Sequence, residues 1–374
     1  MTSNYQSGFL EKFGIYYLTI FRRRSQLLAQ LPNDASLQSS VNRISFYAML
    51  WSGLAGIACV FPMVWVDVRY QSTPWYIHYG WVAIATIVFT LIEFYLLFLI
   101  SLRSVHQVAE LVNIHATKKE YQLSGPFSVI PILSRTALEI NEPEMQILGI
   151  NPFQKISRKN LLLLGVMYKL KIIVSNMVLK YGLLFLVGQH VFGIPILYEA
   201  LLVECFWNMV VIHKVIREAR LRLFGFVLAN QITDTLEKDP IRTTFSEALK
   251  TTLLRAIGNT IVLTKNYHPN MVVLLLEMQA LLQIKHPHAL DDWQLFLHDL
   301  GNLSENERHF ALDLLCVAAA FDGKISDLEI STLHHAFGEH NSLYQQRIKD
   351  LQCKLIEGKL HAAYAQCGLN FEAG

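Results

Sequence analysis

Residues 44–66 read ISFYAMLWSGLAGIACVFPMVWV, a run of 23 residues without a charged side chain. A membrane-spanning helix needs about 20 predominantly apolar residues to cross a hydrocarbon core of about 30 Å. The run lies too far from Met1 to be the apolar core of a signal peptide, which falls within about the first 30 residues. It therefore predicts a transmembrane helix.

A second apolar run covers residues 75–102 and contains a single ionisable acid, Glu93. Aromatic side chains concentrate around the turn between the two runs, as is typical of the interface between a membrane and water. They are Trp51, Trp65, Trp75, Tyr76, Tyr79 and Trp81. The two runs predict a transmembrane hairpin.

Basic residues flank the hairpin on its outer sides, whereas the connecting loop 67–74 carries only Arg69, opposed by Asp67. The flanking residues are Lys12, Arg22, Arg23, Arg24 and Arg43 before it, and Arg103, Lys118 and Lys119 after it. Because cytoplasmic segments are enriched in Lys and Arg, this pattern predicts cytoplasmic N- and C-termini and an external loop.

A third apolar region, 161–216, contains several charged residues, so its interpretation stays open. It predicts either a second hairpin, over 172–192 and 195–213, or a pair of buried or interfacial helices. Lys169, Asn176 and Lys180 would share one narrow stripe of a helix, while Glu204 and Asn208 are four residues apart and share a face.

Charges at membrane depth cost several kcal/mol unless they are paired. The ionisable and amide groups of the apolar runs therefore indicate either a polar pathway or structural ion pairs between helices. The candidates are Glu93, Lys169, Asn176, Lys180, Glu199, Glu204 and Asn208.

The composition as a whole favours an all-α membrane protein, with 52% hydrophobic and 17% charged residues and a net charge of +2. The small net charge gives no reason to expect a nucleic-acid partner. We find no catalytic motif, so no enzymatic activity is predicted. The predicted organisation is a cytoplasmic arm (1–43), the hairpin (44–102), a linker with short helices (103–160), the charge-bearing region (161–225) and a cytoplasmic helical domain (226–374).

The clearest local pattern of the C-terminal domain is LSENER at 303–308, in which Ser304 and Glu307 form a capping box at a helix start. The helix is predicted to stop at Gly323, and a second capped helix follows within the string DGKISDLE. The same string fits the second half of a calcium loop, but Ala318 and Ala320 would occupy ligand positions and cannot bind the ion.

The strings LSENER and AAAFDGKISDLE (318–329) resemble the helical domain of the TerB-like tellurite-resistance superfamily, over about 300–370. The resemblance implies a compact helical bundle. It also implies that a divalent cation could bind near this turn through Asp322 and Glu329, with Asp313 and Asp327 as nearby acids; no other cofactor is expected.

Residues 133–225 also resemble a family of uncharacterised bacterial membrane proteins, which implies a multi-pass protein of the bacterial inner membrane. We expect a membrane-anchored scaffold or sensor that couples its transmembrane element to a cytoplasmic protein partner, in envelope stress or defence. The alternative is a transporter or channel-like pore lined by the charged residues of 161–216. Besides the lipid bilayer, a second copy of the chain is an expected partner, because Gly53, Ala55, Gly56 and Ala58 give the first span a small-residue surface.

Overall fold

The computed structural model describes residues 8–22, 32–112, 128–138, 148, 150, 196–238, 245–264, 267–285, 288–323 and 327–369. Within these ranges the chain forms α-helices and one 3₁₀ turn, and no strand. The helices are α1 (Phe9–Arg22), α2 (Asp34–Tyr70), α3 (Trp75–Leu111), α4 (Val129–Ala137), α5 (Ile196–Lys238), α6 (Glu247–Thr264), α7 (Pro269–Leu282), α8 (Trp293–Asn302), α9 (Glu305–Ala320), α10 (Asp327–Phe337), α11 (Asn341–Glu357) and α12 (Leu360–Gln366). The predicted all-α fold class is confirmed for these residues.

Helix ends in the C-terminal part follow from local chemistry. Pro269 occupies the first turn of α7, where its missing N–H leaves no intrahelical bond unmade. Asp292 caps α8 by accepting a hydrogen bond of 3.0 Å from the Leu295 N–H. At the start of α9, the Ser304 N–H donates to the Glu307 carboxylate at 3.2 Å within the predicted capping box.

Helix α5 is continuous through Gly225, the residue at which the sequence analysis placed the boundary between the charge-bearing region and the C-terminal domain. The glycine serves packing instead, because a Cβ atom there would lie 2.0 Å from the Asn270 side-chain nitrogen. No proline interrupts residues 196–238, so nothing in the sequence forces a break.

The chain divides into two compact units. The first, which we call the helical bundle, comprises Met1–Val41, Val108–Lys155 and Arg217–Gly374. Within it α9 packs against α6 and α11, α7 packs against α6, and α1 packs against α4. Fully buried phenylalanine side chains form much of its core: Phe224, Phe296, Phe310, Phe321 and Phe337.

The second unit, which we call the apolar unit, comprises Asn42–Gln107 and Ile156–Ile216. It contains most of α2 and α3, the two described helices that are long and apolar enough to cross a membrane. Only 28% of the most apolar part of α2, and 11% of that of α3, is buried. A core helix of a water-soluble domain would be mostly buried, so these helices expose an unusual amount of apolar surface.

Candidate functional site

Helix α5 places an amide beside a carboxyl group of α3 in the interior of the apolar unit. The Asn208 Nδ2 atom donates a hydrogen bond of 2.6 Å to Glu93 Oε1. Both side chains are buried, with 2% and 7% exposure. The two residues are 115 positions apart, and each interrupts an otherwise apolar stretch.

Two glycines of α2 allow α5 to approach closely at this level. A Cβ atom on Gly56 would lie 2.5 Å from Asn208 Nδ2 and 3.3 Å from the Glu204 carbonyl oxygen. A Cβ atom on Gly53 would lie 2.8 Å from Cys205 Sγ. The small-residue surface expected to contact a second copy of the chain therefore packs, at these two glycines, against α5 of the same chain.

A second carboxyl group, that of Glu204, is buried one helical turn from Asn208 and is 5% exposed. Cys59 of α2 is also buried, within electrostatic range of both Glu93 and Glu204. We call Glu93, Glu204 and Asn208 the polar cluster. Its oxygens can accept hydrogen bonds, a proton or a small cation, and its amide can donate.

The sequence identified the three members of the polar cluster as candidates, but not the closeness of Glu93 to Asn208. It also did not place Gly56 and Cys59 beside them. The sequence feature that could have indicated this contact is the spacing of Gly53, Gly56 and Cys59, which puts these small residues on one face of α2. Of the other candidates, Lys169, Asn176, Lys180 and the side chain of Glu199 lie outside the described residues.

The acids proposed for a cation site in the C-terminal domain have different surroundings. The Asp313 carboxylate pairs with Arg347 and also accepts a hydrogen bond from Tyr344. Burial raises the pKa of Asp313, although the Arg347 guanidinium opposes the shift. Burial likewise raises the pKa of Tyr344.

Glu329 is buried in α10, Asp322 is half-buried after α9, and the Asp327 side chain lies outside the described residues. Among the described residues, no three His, Cys, Asp or Glu side chains form a group that could hold a metal ion.

The turn after α9 is held by packing against α5. Gly323 has a φ of +69°, and a Cβ atom there would lie 2.4 Å from Leu221 Cδ2. The Asn270 Nδ2 atom donates a hydrogen bond of 3.0 Å to the Leu221 carbonyl oxygen. The same atom lies 3.5 Å from the Phe321 carbonyl oxygen. The turn thus has a structural role that requires glycine at position 323.

Comparison with models of known protein families, with curated proteins and with solved structures gives no match for this chain.

Proposed function

We propose that the protein is an integral membrane scaffold or sensor, anchored by α2 and α3, whose helical bundle contacts a protein partner in the cytoplasm. The observation that carries the proposal is the exposed apolar surface of the hairpin. Of the 24 large hydrophobic side chains found exposed among the described residues, 22 belong to the apolar unit. The hydrocarbon core of a membrane would cover this surface. The backbone polar groups of the two helices would keep their hydrogen-bond partners within each helix.

The helical bundle shows the opposite distribution, which supports different environments for the two units. Its apolar helix α7 has 11 of its 14 residues buried. Apolar sequence is therefore covered by protein in the bundle and left uncovered in the hairpin. A bundle with its own buried core suits an aqueous compartment, and the Lys and Arg distribution of the sequence favours the cytoplasm.

The continuous helix α5 supports a coupling role. It carries Glu204 and Asn208 of the polar cluster and, further along, Leu221 and Phe224 of the bundle. Because a helix transmits a rotation or shift along its axis, a change at the polar cluster could reach the bundle through this one element. Envelope stress or defence remains our expectation for the process served.

A membrane topology experiment tests the anchor. Exposed Cys353 of the bundle and a Ser72→Cys variant of the loop between α2 and α3 would be labelled with a membrane-impermeant maleimide in intact cells. We expect labelling at position 72 from outside, and at Cys353 only after permeabilisation. A Cys353→Ser variant controls for labelling of the other four cysteines. Release of the whole protein by alkaline carbonate would contradict the anchor.

A transporter or channel-like pore is the second candidate, favoured by the burial of two carboxyl groups and an amide in the apolar unit. Glu93, Glu204 and Asn208 would contribute to its lining, together with Lys169, Asn176, Lys180 and Glu199. Ion flux into vesicles containing the purified protein separates the two candidates. Flux that is abolished by Glu93→Gln at unchanged thermal stability supports a pore, and absence of flux in the wild type supports a scaffold.

We also propose a TerB-like fold for about 300–370, with Asp322 and Glu329 as the residues to test for a divalent cation and Asp327 and Asp313 as secondary candidates. Calorimetric titration of the full-length protein with Ca²⁺, Mg²⁺ and Zn²⁺ measures binding directly. The site is supported if the heat of cation binding disappears in the Asp322→Asn and Glu329→Gln variants but is retained in Glu339→Gln. No heat with any of the three ions contradicts it.

A further inference from the structure

We infer that Arg43, Arg103 and Lys214 form a binding surface for the headgroups of anionic phospholipids at one end of the apolar unit. The inference rests on the proposed membrane insertion and adds to it the chemical class of lipid and the residues that select it. The three residues come from three different helices, α2, α3 and α5.

Packing within the apolar unit brings the three basic residues to the same end. One apolar cluster joins α2, α3 and α5 near these residues: Ala48, Met49, Leu97, Ile100, Ile212 and Ile216. At 1.5 Å per residue, Arg43 lies about 7.5 Å along α2 from this cluster, and Arg103 about 4.5 Å along α3. Lys214 lies between the two isoleucines of α5. The three charged residues therefore lie at similar positions along the axes of the three packed helices.

The three cations are exposed and take part in no ion pair among the residues that the structure describes. The nearest described acids of the apolar unit are Glu93 and Glu204, which lie about 15 Å along their helices from Arg103 and Lys214 and are buried. Glu218, four residues beyond Lys214 on α5, is partly exposed and bonds to Arg222 at 2.8 Å. A phosphate group supplies the missing counter-charge, because guanidinium groups bind phosphate in a bidentate manner and a lysine can extend its ammonium towards the headgroups.

The position of Arg43 matches the thickness of a bilayer. Arg43 and Arg69 lie on the same continuous helix, 26 residues apart. This spacing corresponds to about 39 Å along the axis, close to the roughly 40–45 Å of a bilayer with its headgroup regions. At the Arg69 end, the Asp67 carboxylate is present and bonds to His78 at 2.7 Å. Among the described residues of the apolar unit, the excess of positive charge therefore lies at the Arg43 end.

The experiment compares spin-labelled phosphatidylglycerol and phosphatidylcholine bound to the full-length protein in mixed vesicles, at low and high salt. We expect the wild type to prefer phosphatidylglycerol, and the preference to weaken at high salt because counter-ions screen exposed charges. The triple variant Arg43→Gln, Arg103→Gln, Lys214→Gln should lose most of it. The expected loss is about fivefold per side chain, the factor that corresponds to about 1 kcal/mol for a basic residue near an anionic surface.

A matched control removes the same charge from the bundle surface through Lys250→Gln, Lys349→Gln and Lys359→Gln, and should keep the wild-type preference. Equal lipid association in the wild type, or a preference that survives in the first triple variant, overturns the inference. Loss of the preference with millimolar inorganic phosphate also overturns it, because the site would then bind free anions. Carbonate extraction of every variant is scored separately, so failure of membrane insertion is distinguishable from failure of lipid selection.

Discussion

The carboxylate of Asp34 binds the exposed N-terminus of the helix that contains His361. Its Oδ1 atom accepts from the His361 N–H and its Oδ2 atom accepts from the Ala362 N–H, both at 2.9 Å. The His361 Nδ1 atom also lies 2.9 Å from Oδ1. Because Asp34 is the first residue of α2, one side chain joins the start of that long helix to α12, 327 positions away in sequence.

Replacing Asp34 by alanine should loosen α12. Removal of a side chain that caps a helix N-terminus costs about 1 kcal/mol, within a range of about 0.5–2 kcal/mol. Hydrogen exchange of peptides covering residues 358–369 in the full-length protein measures the change. Asp34→Asn, which keeps one acceptor oxygen, should lie between the wild type and Asp34→Ala. Equal exchange in all three proteins would contradict the role of the cap.

The stability of the bundle should decrease in acid through Glu307. Burial opposes the shift, but hydrogen bonds from Ser246 and Ser304 lower the pKa of Glu307 below its ordinary 4.5. A lowered folded-state pKa contributes stability that is present above about pH 4.5 and is lost as the pH falls through the folded-state pKa. The difference in melting temperature between wild type and Glu307→Gln should therefore shrink between pH 7 and pH 3. Glu339→Gln, at an exposed position, should show no such trend.

The approach of α5 to α2 should depend on Gly56. In Gly56→Ala, the added methyl group must displace Asn208 and break its bond to Glu93, or push against the Glu204 backbone. We expect a loss of about 1–3 kcal/mol, as for overpacking of other interiors. Gly80→Ala is the matched control, because a Cβ atom there would meet nothing within 4 Å. The control should melt at the wild-type temperature or above it, since alanine favours helix over glycine.

The buried ion pair between Arg135 of α4 and Glu11 of α1 should be costly to break on one side only. The two groups lie 2.9 Å apart, with side chains 0% and 3% exposed. Arg135→Met should lower the free energy of unfolding by about 3–5 kcal/mol, because it removes the cation that lies 2.9 Å from a buried carboxylate.

Urea unfolding in detergent measures the effect, and adding Glu11→Leu should recover much of the loss. Breaking the more exposed pair Lys250–Glu247 through Lys250→Met should cost no more than about 1 kcal/mol. A similar cost for the two pairs would argue against the buried interaction.

The turn after α9 should tolerate only glycine at position 323. Gly323→Ala combines a positive φ with a Cβ atom 2.4 Å from Leu221 Cδ2, whereas Gly338→Ala has only a positive φ, of +53°, and open space around it. The strain of φ alone costs about 1–2 kcal/mol. Thermal unfolding should therefore show a larger loss for Gly323→Ala than for Gly338→Ala. Equal losses would mean that the contact with Leu221 has no effect.

Local features of the sequence were sufficient to predict where most helices lie. The apolar run 44–66 lies within α2, and the helix predicted to start at Ser304 and to stop at Gly323 corresponds to α9. Prolines, capping residues and the length of apolar runs act over a few residues, so they can be interpreted without knowing the rest of the fold. Gly225 is the exception, because the absence of its side chain leaves room for the side chain of Asn270, which is distant in sequence.

The sequence by itself determined that the protein is helical, that two segments can span a membrane, and which polar residues interrupt the apolar runs. Only the tertiary structure decided that Asn208 bonds to Glu93, that Gly53 and Gly56 contact α5 of the same chain, and that Asp34 caps α12. Helix formation is decided by neighbours along the chain. Contacts between side chains that are a hundred or more residues apart depend on how whole helices pack, and a local sequence pattern does not predict that packing.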